Sequence, residues 1–147
     1  MLNYSNVITK ENSYSGIQMK EIRPVMKLII RGKKREFLSA IGKSLNLLLP
    51  TEANTSSSSE KLTALWLSPD EWLVYSNEIS NPDNNDYETE NLLNKNISKV
   101  SLGAVTDVTD QFVLINIKGD KIFDLFETGS PFNFNDFRRK KGSTTQT

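Results

Sequence analysis

The sequence predicts an α+β protein in which one strand–helix unit occurs twice, and two observations carry that expectation. The first is a repeated pattern. Ile30-Arg31-Gly32, Gly42 and Leu45-Asn46-Leu47 recur at the same spacing as Ile117-Lys118-Gly119, Gly129 and Phe132-Asn133-Phe134. Each copy reads as a β-branched strand, a basic residue, a glycine that turns the chain, a short amphipathic helix, a second glycine and an apolar-Asn-apolar triplet. A duplicated unit of this kind builds a pseudo-symmetric sheet protein. The second observation is size and composition: 147 residues with 37% hydrophobic content are enough for one folded domain with its own core. Only Asn135 to Thr147 follow the second copy, so it is expected to lack the strands that follow the first.

Residues 1–21 are polar and weakly periodic, and read as a flexible lead-in with one short strand near Ile17 to Met19. Residues 22–147 are expected to form a single domain. Val25 to Arg31 is a strand, with Leu28, Ile29 and Ile30 dense enough for burial on both faces. Lys33 to Leu48 is the strongest helix. Phe37, Leu38, Ile41, Leu45 and Leu48 fall within an arc of about 100°, a core-facing stripe. Gly42 interrupts that pattern, and an end or irregularity is expected there.

Thr51 to Glu60, with Ser56-Ser57-Ser58-Ser59, reads as a flexible polar loop open to proteolysis. Leu62 to Leu67 and Glu71 to Tyr75 are expected to form a hairpin around Ser68-Pro69-Asp70, whose residues suit a type I turn. Alternation places Leu62, Ala64 and Trp66 on one face, Leu65 and Leu67 on the other. Asn77 to Asn85 is loop, Tyr87 to Ile97 a weak helix and Val100 to Val108 extended. Phe112 to Lys118 is a strand with Val113, Ile115 and Ile117 on one face. A second helix opens at Gly119-Asp120 and packs Ile122, Phe123 and Phe126 inward.

Composition narrows the chemistry. The 18 basic and 18 acidic residues leave no net field to hold nucleic acid or an anionic membrane. The absence of Cys removes disulfides, thiolate nucleophiles and cysteine metal sites. The absence of His removes the commonest general base and metal ligand. Catalytic, cofactor-binding and metal residues are accordingly expected to number none. The start of the chain does not read as a signal peptide, and no apolar run reaches the length of a bilayer span, so the expected address is cytoplasmic.

Three clusters carry the possible chemistry. Asp70-Glu71-Trp72 reads as a carboxylate pair beside an aromatic, or, more simply, as two turn charges and a strand-anchoring Trp. Asp107 and Asp110 in Thr106-Asp107-Val108-Thr109-Asp110 could bind a cation or an amine, whereas such residues more often form Asx turns. Arg31-Gly32-Lys33-Lys34-Arg35 and Arg138-Arg139-Lys140-Lys141 offer charge to a phosphate, a folate polyglutamate tail or an acidic partner. A solvated basic face is the simpler alternative.

Several stretches together resemble one family. Leu67-Ser68-Pro69-Asp70-Glu71-Trp72-Leu73-Val74 resembles a Leu-Gly-Pro-Asp-Glu-Trp-Leu-Leu segment of sarcosine oxidase gamma subunits. Val105-Thr106-Asp107-Val108-Thr109-Asp110, Ile117-Lys118-Gly119-Asp120, Gly129-Ser130-Pro131-Phe132-Asn133-Phe134 and the terminal Gly142 to Thr147 are similar to later motifs of that family, in the same order. Ser130 stands where the family often has Cys, and Asn133 where it has Asp.

The resemblance implies a fold of ferredoxin-like βαβ repeats, as in the folate-binding region of glycine-cleavage T-proteins, with the second repeat truncated. It implies a non-catalytic gamma subunit of a heterotetrameric sarcosine oxidase, an oxidoreductase complex that demethylates sarcosine to glycine with tetrahydrofolate as one-carbon acceptor. Alpha, beta and delta subunits are the implied partners, with alpha the expected direct contact. FAD, FMN, NAD, tetrahydrofolate and zinc are implied for those subunits and none for this chain. The alternatives are a stand-alone folate-dependent aminomethyltransferase-like protein, with Asp107 or Asp110 orienting the pterin or amine, and a truncated paralogue without activity.

Overall fold

A computed structural model describes residues 5–8, 12–22, 25–78, 88–98, 103–135, 137 and 140–146. In chain order the elements are β1 (Asn12–Tyr14), β2 (Ile17–Ile22), β3 (Lys27–Gly32), α1 (Arg35–Leu45), β4 (Ser56–Ser58), β5 (Leu62–Ser68), β6 (Glu71–Ser76), α2 (Glu88–Ser98), β7 (Gly103–Asp107), β8 (Leu114–Lys118) and α3 (Ile122–Gly129). They make a mixed α/β fold with two antiparallel sheets, ordered β4-β5-β6-β3-β7 and β1-β2-β8.

From β3 to β7 the chain runs β-α-β-β-β-α-β, with β3 between β6 and β7 and the short β4 at the far edge beside β5. That central position accounts for the density of Leu28-Ile29-Ile30. Leu28 and Ile30 face the core with Phe37, Ile41, Trp72, Val74 and Leu93, while Ile29 lies half-buried on the opposite face. Helices α1 and α2 contribute Phe37, Ile41, Leu45, Leu93 and Ile97 to this one cluster.

Helix α1 differs from expectation at its end. Gly42 does not interrupt it; the helix stops at Asn46, which takes the left-handed conformation (φ 48°). The backbone N–H groups of Asn46 and Leu47 both reach the Gly42 carbonyl. A left-handed Asn closing a helix redirects the next residues. Leu47 therefore turns into the core, and Leu48, expected on the buried stripe, is 83% exposed.

The predicted hairpin is present as β5 and β6, with Trp66 directly opposite Trp72 and a register shift between Trp66 and Ser68. Trp72 is only 1% exposed, and its indole Nε1 donates to the Pro50 carbonyl at 2.7 Å. Trp66 is half-buried.

The serine run is not a loop. Ser56 to Ser58 form β4 against β5, and each hydroxyl finds a hydrogen-bond partner. Ser57 donates to the Leu48 carbonyl, Ser56 donates to Gly142 at 2.8 Å, and Ser58 bonds Thr63. Serine hydroxyls that bond nearby backbone make a polar edge strand tolerable. The terminal residues extend that edge, since Thr55 bridges Ser143 and Thr144 donates its N–H to Asn54.

Both copies of the repeated pattern are strand followed by helix, but in different sheets: β3 is central in one and β8 is the last strand of the other. Their first glycines also differ in physics. Gly119 has φ 133°, and a side chain there would strike the backbone of Gly16. Gly32 ends β3 without a left-handed backbone and instead makes room for the Phe37 ring. Nearer the N-terminus, residues 12–22 form the β1–β2 hairpin, and β2 pairs with β8 over Gln18 to Ile22. The strand expected at Ile17 to Met19 is thus part of a longer paired one.

Candidate functional site

The carboxylates at 70 and 71 brace the hairpin tip to the end of β3. Arg31 and Glu71 are cross-strand partners, and Arg31 donates to the Glu71 carboxylate at 2.9 Å. That bond raises the Arg31 pKa above its ordinary value. Asp70 accepts from the Ser68 hydroxyl at 2.9 Å and pairs with Lys33 at 3.4 Å; both hold its carboxyl below the usual range. Its backbone carbonyl accepts from Gly32 N–H at 2.9 Å. Half of the first basic cluster is therefore occupied by the hairpin. Both pairs reach solvent, where water and salt screen them. Their chemistry is bracing, and Trp72 beside them belongs to the core.

The pair Asp107 and Asp110 lies beside a cation the sequence reading missed. Lys27 is 2% exposed, and its Nζ donates to the carbonyls of Thr109 at 2.8 Å and Val25 at 3.1 Å. Its backbone N–H donates to the Thr109 hydroxyl at 3.0 Å, and its carbonyl accepts from Val108 N–H at 2.9 Å. Asp107 accepts from Thr109 N–H at 2.7 Å, which is the Asx turn weighed from the sequence. Burial pushes the Lys27 pKa down, while the charges of Asp110 and Asp107 oppose the shift. The amine near these carboxylates is thus the protein's own, and it clasps the start of β3 to the exit of β7. The signal in the sequence was a lone Lys at the head of an apolar strand.

The second unit carries most of the uncovered apolar surface. Phe134, 4% exposed, sits at the centre of an aromatic cluster, with ring centroids 5.1 Å from Phe132, 5.6 Å from Phe126, 5.8 Å from Phe137 and 6.3 Å from Phe123. A cavity of about 520 Å³ opens beside it, lined by Phe123, Leu125, Phe126, Phe137 and Thr144 among others. The Thr144 hydroxyl is buried without a hydrogen-bond partner among the described residues. Phe112, Val113, Ile115, Leu125 and Phe126 are exposed, and no residue of α3 is fully buried. β8 pairs only with β2 among the described residues, so its other edge is open. The apolar face expected on this strand is thus present but uncovered, and the exposed aromatics are Phe112 and Phe126, with Phe132 half-buried.

Among the described residues, no group of three or more Asp or Glu is placed to hold a metal ion, and no helix is long and apolar enough to cross a membrane. In the second basic cluster, Lys140 pairs with Glu52 at 3.6 Å, while Arg138 and Arg139 lie outside the described residues.

Comparison with known proteins places this geometry. No curated protein sequence matches the chain. Among solved structures, a chain of the heterotetrameric sarcosine oxidase from Corynebacterium sp. U-96, in complex with pyrrole 2-carboxylate, shares the fold with a TM-score of 0.72 at 17% identity. The match covers 86% of this chain and 63% of that one, so this chain spans less than two thirds of its length. A family profile described as sarcosine oxidase, gamma subunit, matches residues 32–139, the span from the end of β3 past α3. The chain belongs to the sarcosine oxidase gamma subunit family.

Proposed function

We propose that this chain is a non-catalytic gamma subunit of a heterotetrameric sarcosine oxidase, in which it docks on partner subunits through the β8–α3 face. The observation that carries the reading is the family match over residues 32–139. The uncovered face supports it. Contiguous apolar surface beside an open strand edge is costly for a chain alone and is the usual mark of a protein–protein interface. The unpartnered Thr144 hydroxyl beside the aromatic cavity offers a partner one hydrogen-bonding group to satisfy.

On this reading the β3-to-β7 segment is a ferredoxin-like repeat with β4 added at its edge, and β8 with α3 begins a second repeat. Alpha, beta and delta subunits are the partners, with alpha the direct contact, in the cytoplasm. FAD, FMN, NAD, tetrahydrofolate and zinc reside on those subunits, which carry out the oxidative demethylation of sarcosine. Asp107 is committed to the 108–109 turn and Asp110 lies beside the buried Lys27, which disfavours a pterin-orienting role for either.

Co-expression with alpha, beta and delta subunits of a heterotetrameric sarcosine oxidase tests this reading. A stoichiometric complex recovered through a tag on this chain supports it. Recovery of the other three subunits as an active complex that excludes this chain overturns it.

A further inference from the structure

A second groove runs along the outer side of α1, and it shares no lining residue with the aromatic cavity. Its volume is about 510 Å³, with Leu38, Leu48 and Leu49 as apolar wall and Gly42 leaving the later part of the helix open. Arg35 and Lys43 also line it, and among the described residues no carboxylate does. Lys33, two residues before Arg35, is engaged by Asp70, and Arg31 by Glu71. Arg35 and Lys43 form no ion pair among the described residues. In a chain of net charge zero, this groove is a local concentration of uncompensated positive charge.

Lys43 lies in the last turn of α1, where the helix dipole favours a cation, but helix formation does not account for Arg35. Arg35 opens the helix, where the macrodipole favours acidic residues, and it follows Lys33 and Lys34. The cap residue Lys34 supplies no side-chain hydrogen bond to the first-turn N–H groups. Glu36 is the one acidic residue in that turn, and it is not among the groove residues. An anion arriving at this end gains from the Arg35 charge, the helix dipole and free N–H donors together. Leu48, 83% exposed, gives the same groove an apolar foothold.

We propose that the α1 groove docks an extended acidic segment of another protein, with an apolar anchor flanked by two carboxylates. The spacing specifies the pattern. Arg35 and Lys43 are eight residues apart on α1, or about 12 Å along the axis. In an extended peptide, residues i and i+4 lie about 13 Å apart and point to the same side as residue i+2. Carboxylates at i and i+4 therefore meet Arg35 and Lys43 while an apolar side chain at i+2 enters the groove opposite Ser39, midway between them.

The test uses the full chain, labelled with nitrogen-15, and the capped peptide Gly-Ser-Asp-Ser-Leu-Ser-Asp-Ser-Gly. Titration is expected to move the amide signals of Gly42, Lys43 and Leu48, with affinity falling at least tenfold for the Asn-for-Asp peptide. A peptide with Leu moved by one position, which turns it to the opposite side, is expected to lose a similar amount. The double substitution Arg35→Glu, Lys43→Glu changes two exposed side chains and is expected to abolish binding. Absence of any shift at millimolar peptide overturns the proposal, as does equal binding of a Lys-for-Asp peptide. Shifts confined to residues outside the groove overturn it too. Protein-concentration-dependent shifts without peptide, showing a second copy in the groove, count against it equally.

Discussion

Gly32 and Gly103 face each other across β3 and β7, and the Phe37 ring fills the space their side chains would take. A Cβ on Gly32 would lie 2.5 Å from the ring, and one on Gly103 would collide with both the ring and the Arg31 carbonyl. Two glycines in register thus let α1 seat its fully buried aromatic at the sheet end. Gly103→Ala should destabilise the chain by about 3 kcal/mol, through overpacking against backbone that cannot yield. Gly32→Ala meets the ring first, so Phe37→Leu should recover much of its loss and little of that at Gly103. A double-mutant cycle by urea unfolding measures this; equal rescue at both sites would refute the assignment.

The two tryptophans of the hairpin should not be equivalent. Trp72→Ala removes a fully buried indole and should cost about 3–5 kcal/mol. Trp72→Phe keeps most of the packing but leaves the Pro50 carbonyl unpaired, a cost of about 1–3 kcal/mol. Trp66→Ala, at a half-buried site, should cost less than Trp72→Ala. Thermal melts of the three variants that place Trp66 above Trp72 would contradict the burial described here.

Lys27 gives the stability a definite pH dependence. Burial lowers its pKa in the native state below the ordinary 10.5, so the folded chain releases this proton before the unfolded chain does. Across that interval the unfolded state binds more protons, and unfolding free energy therefore rises as pH approaches 10.5 from below. Lys27→Met keeps a long side chain without the charge and should lack this component. Urea unfolding of both proteins from neutral pH to 10.5 supplies the comparison. Parallel curves would mean that the native ammonium is as well solvated as in the unfolded chain.

Leu125 is exposed on α3 at the rim of the aromatic cavity. Leu125→Glu should leave stability within about 0.5 kcal/mol, as surface changes usually do. On the proposed docking mode the same change should prevent recovery of the partner subunits. If the complex forms at wild-type yield with a charge there, this face is not the interface.

Much of the secondary structure was legible in the sequence because it depends on local periodicity. The stripe Phe37, Ile41 and Leu45, the turn chemistry of Ser68-Pro69-Asp70 and the paired strand–helix units needed nothing beyond spacing and residue type. The missed features depend on partners distant in the chain. Ser56 to Ser58 became a strand because β5 offered an edge and Gly142 an acceptor 86 residues away. Lys27 became a buried clasp because Thr109, 82 residues away, brought its carbonyl to within 2.8 Å. Leu48 left the core because Asn46 turned left-handed two residues earlier.

The sequence by itself determined the class of the protein: an α+β chain without His or Cys, bearing the spaced motifs of its family. Tertiary structure alone decided how the charges are spent. Arg31 and Lys33 brace a hairpin, while Asp107 and Asp110 lie beside an internal ammonium; Arg35 and Lys43 are left facing an open groove. Charge is written in the sequence, but its compensation is a matter of distance, and distance is fixed only when the sheets pair.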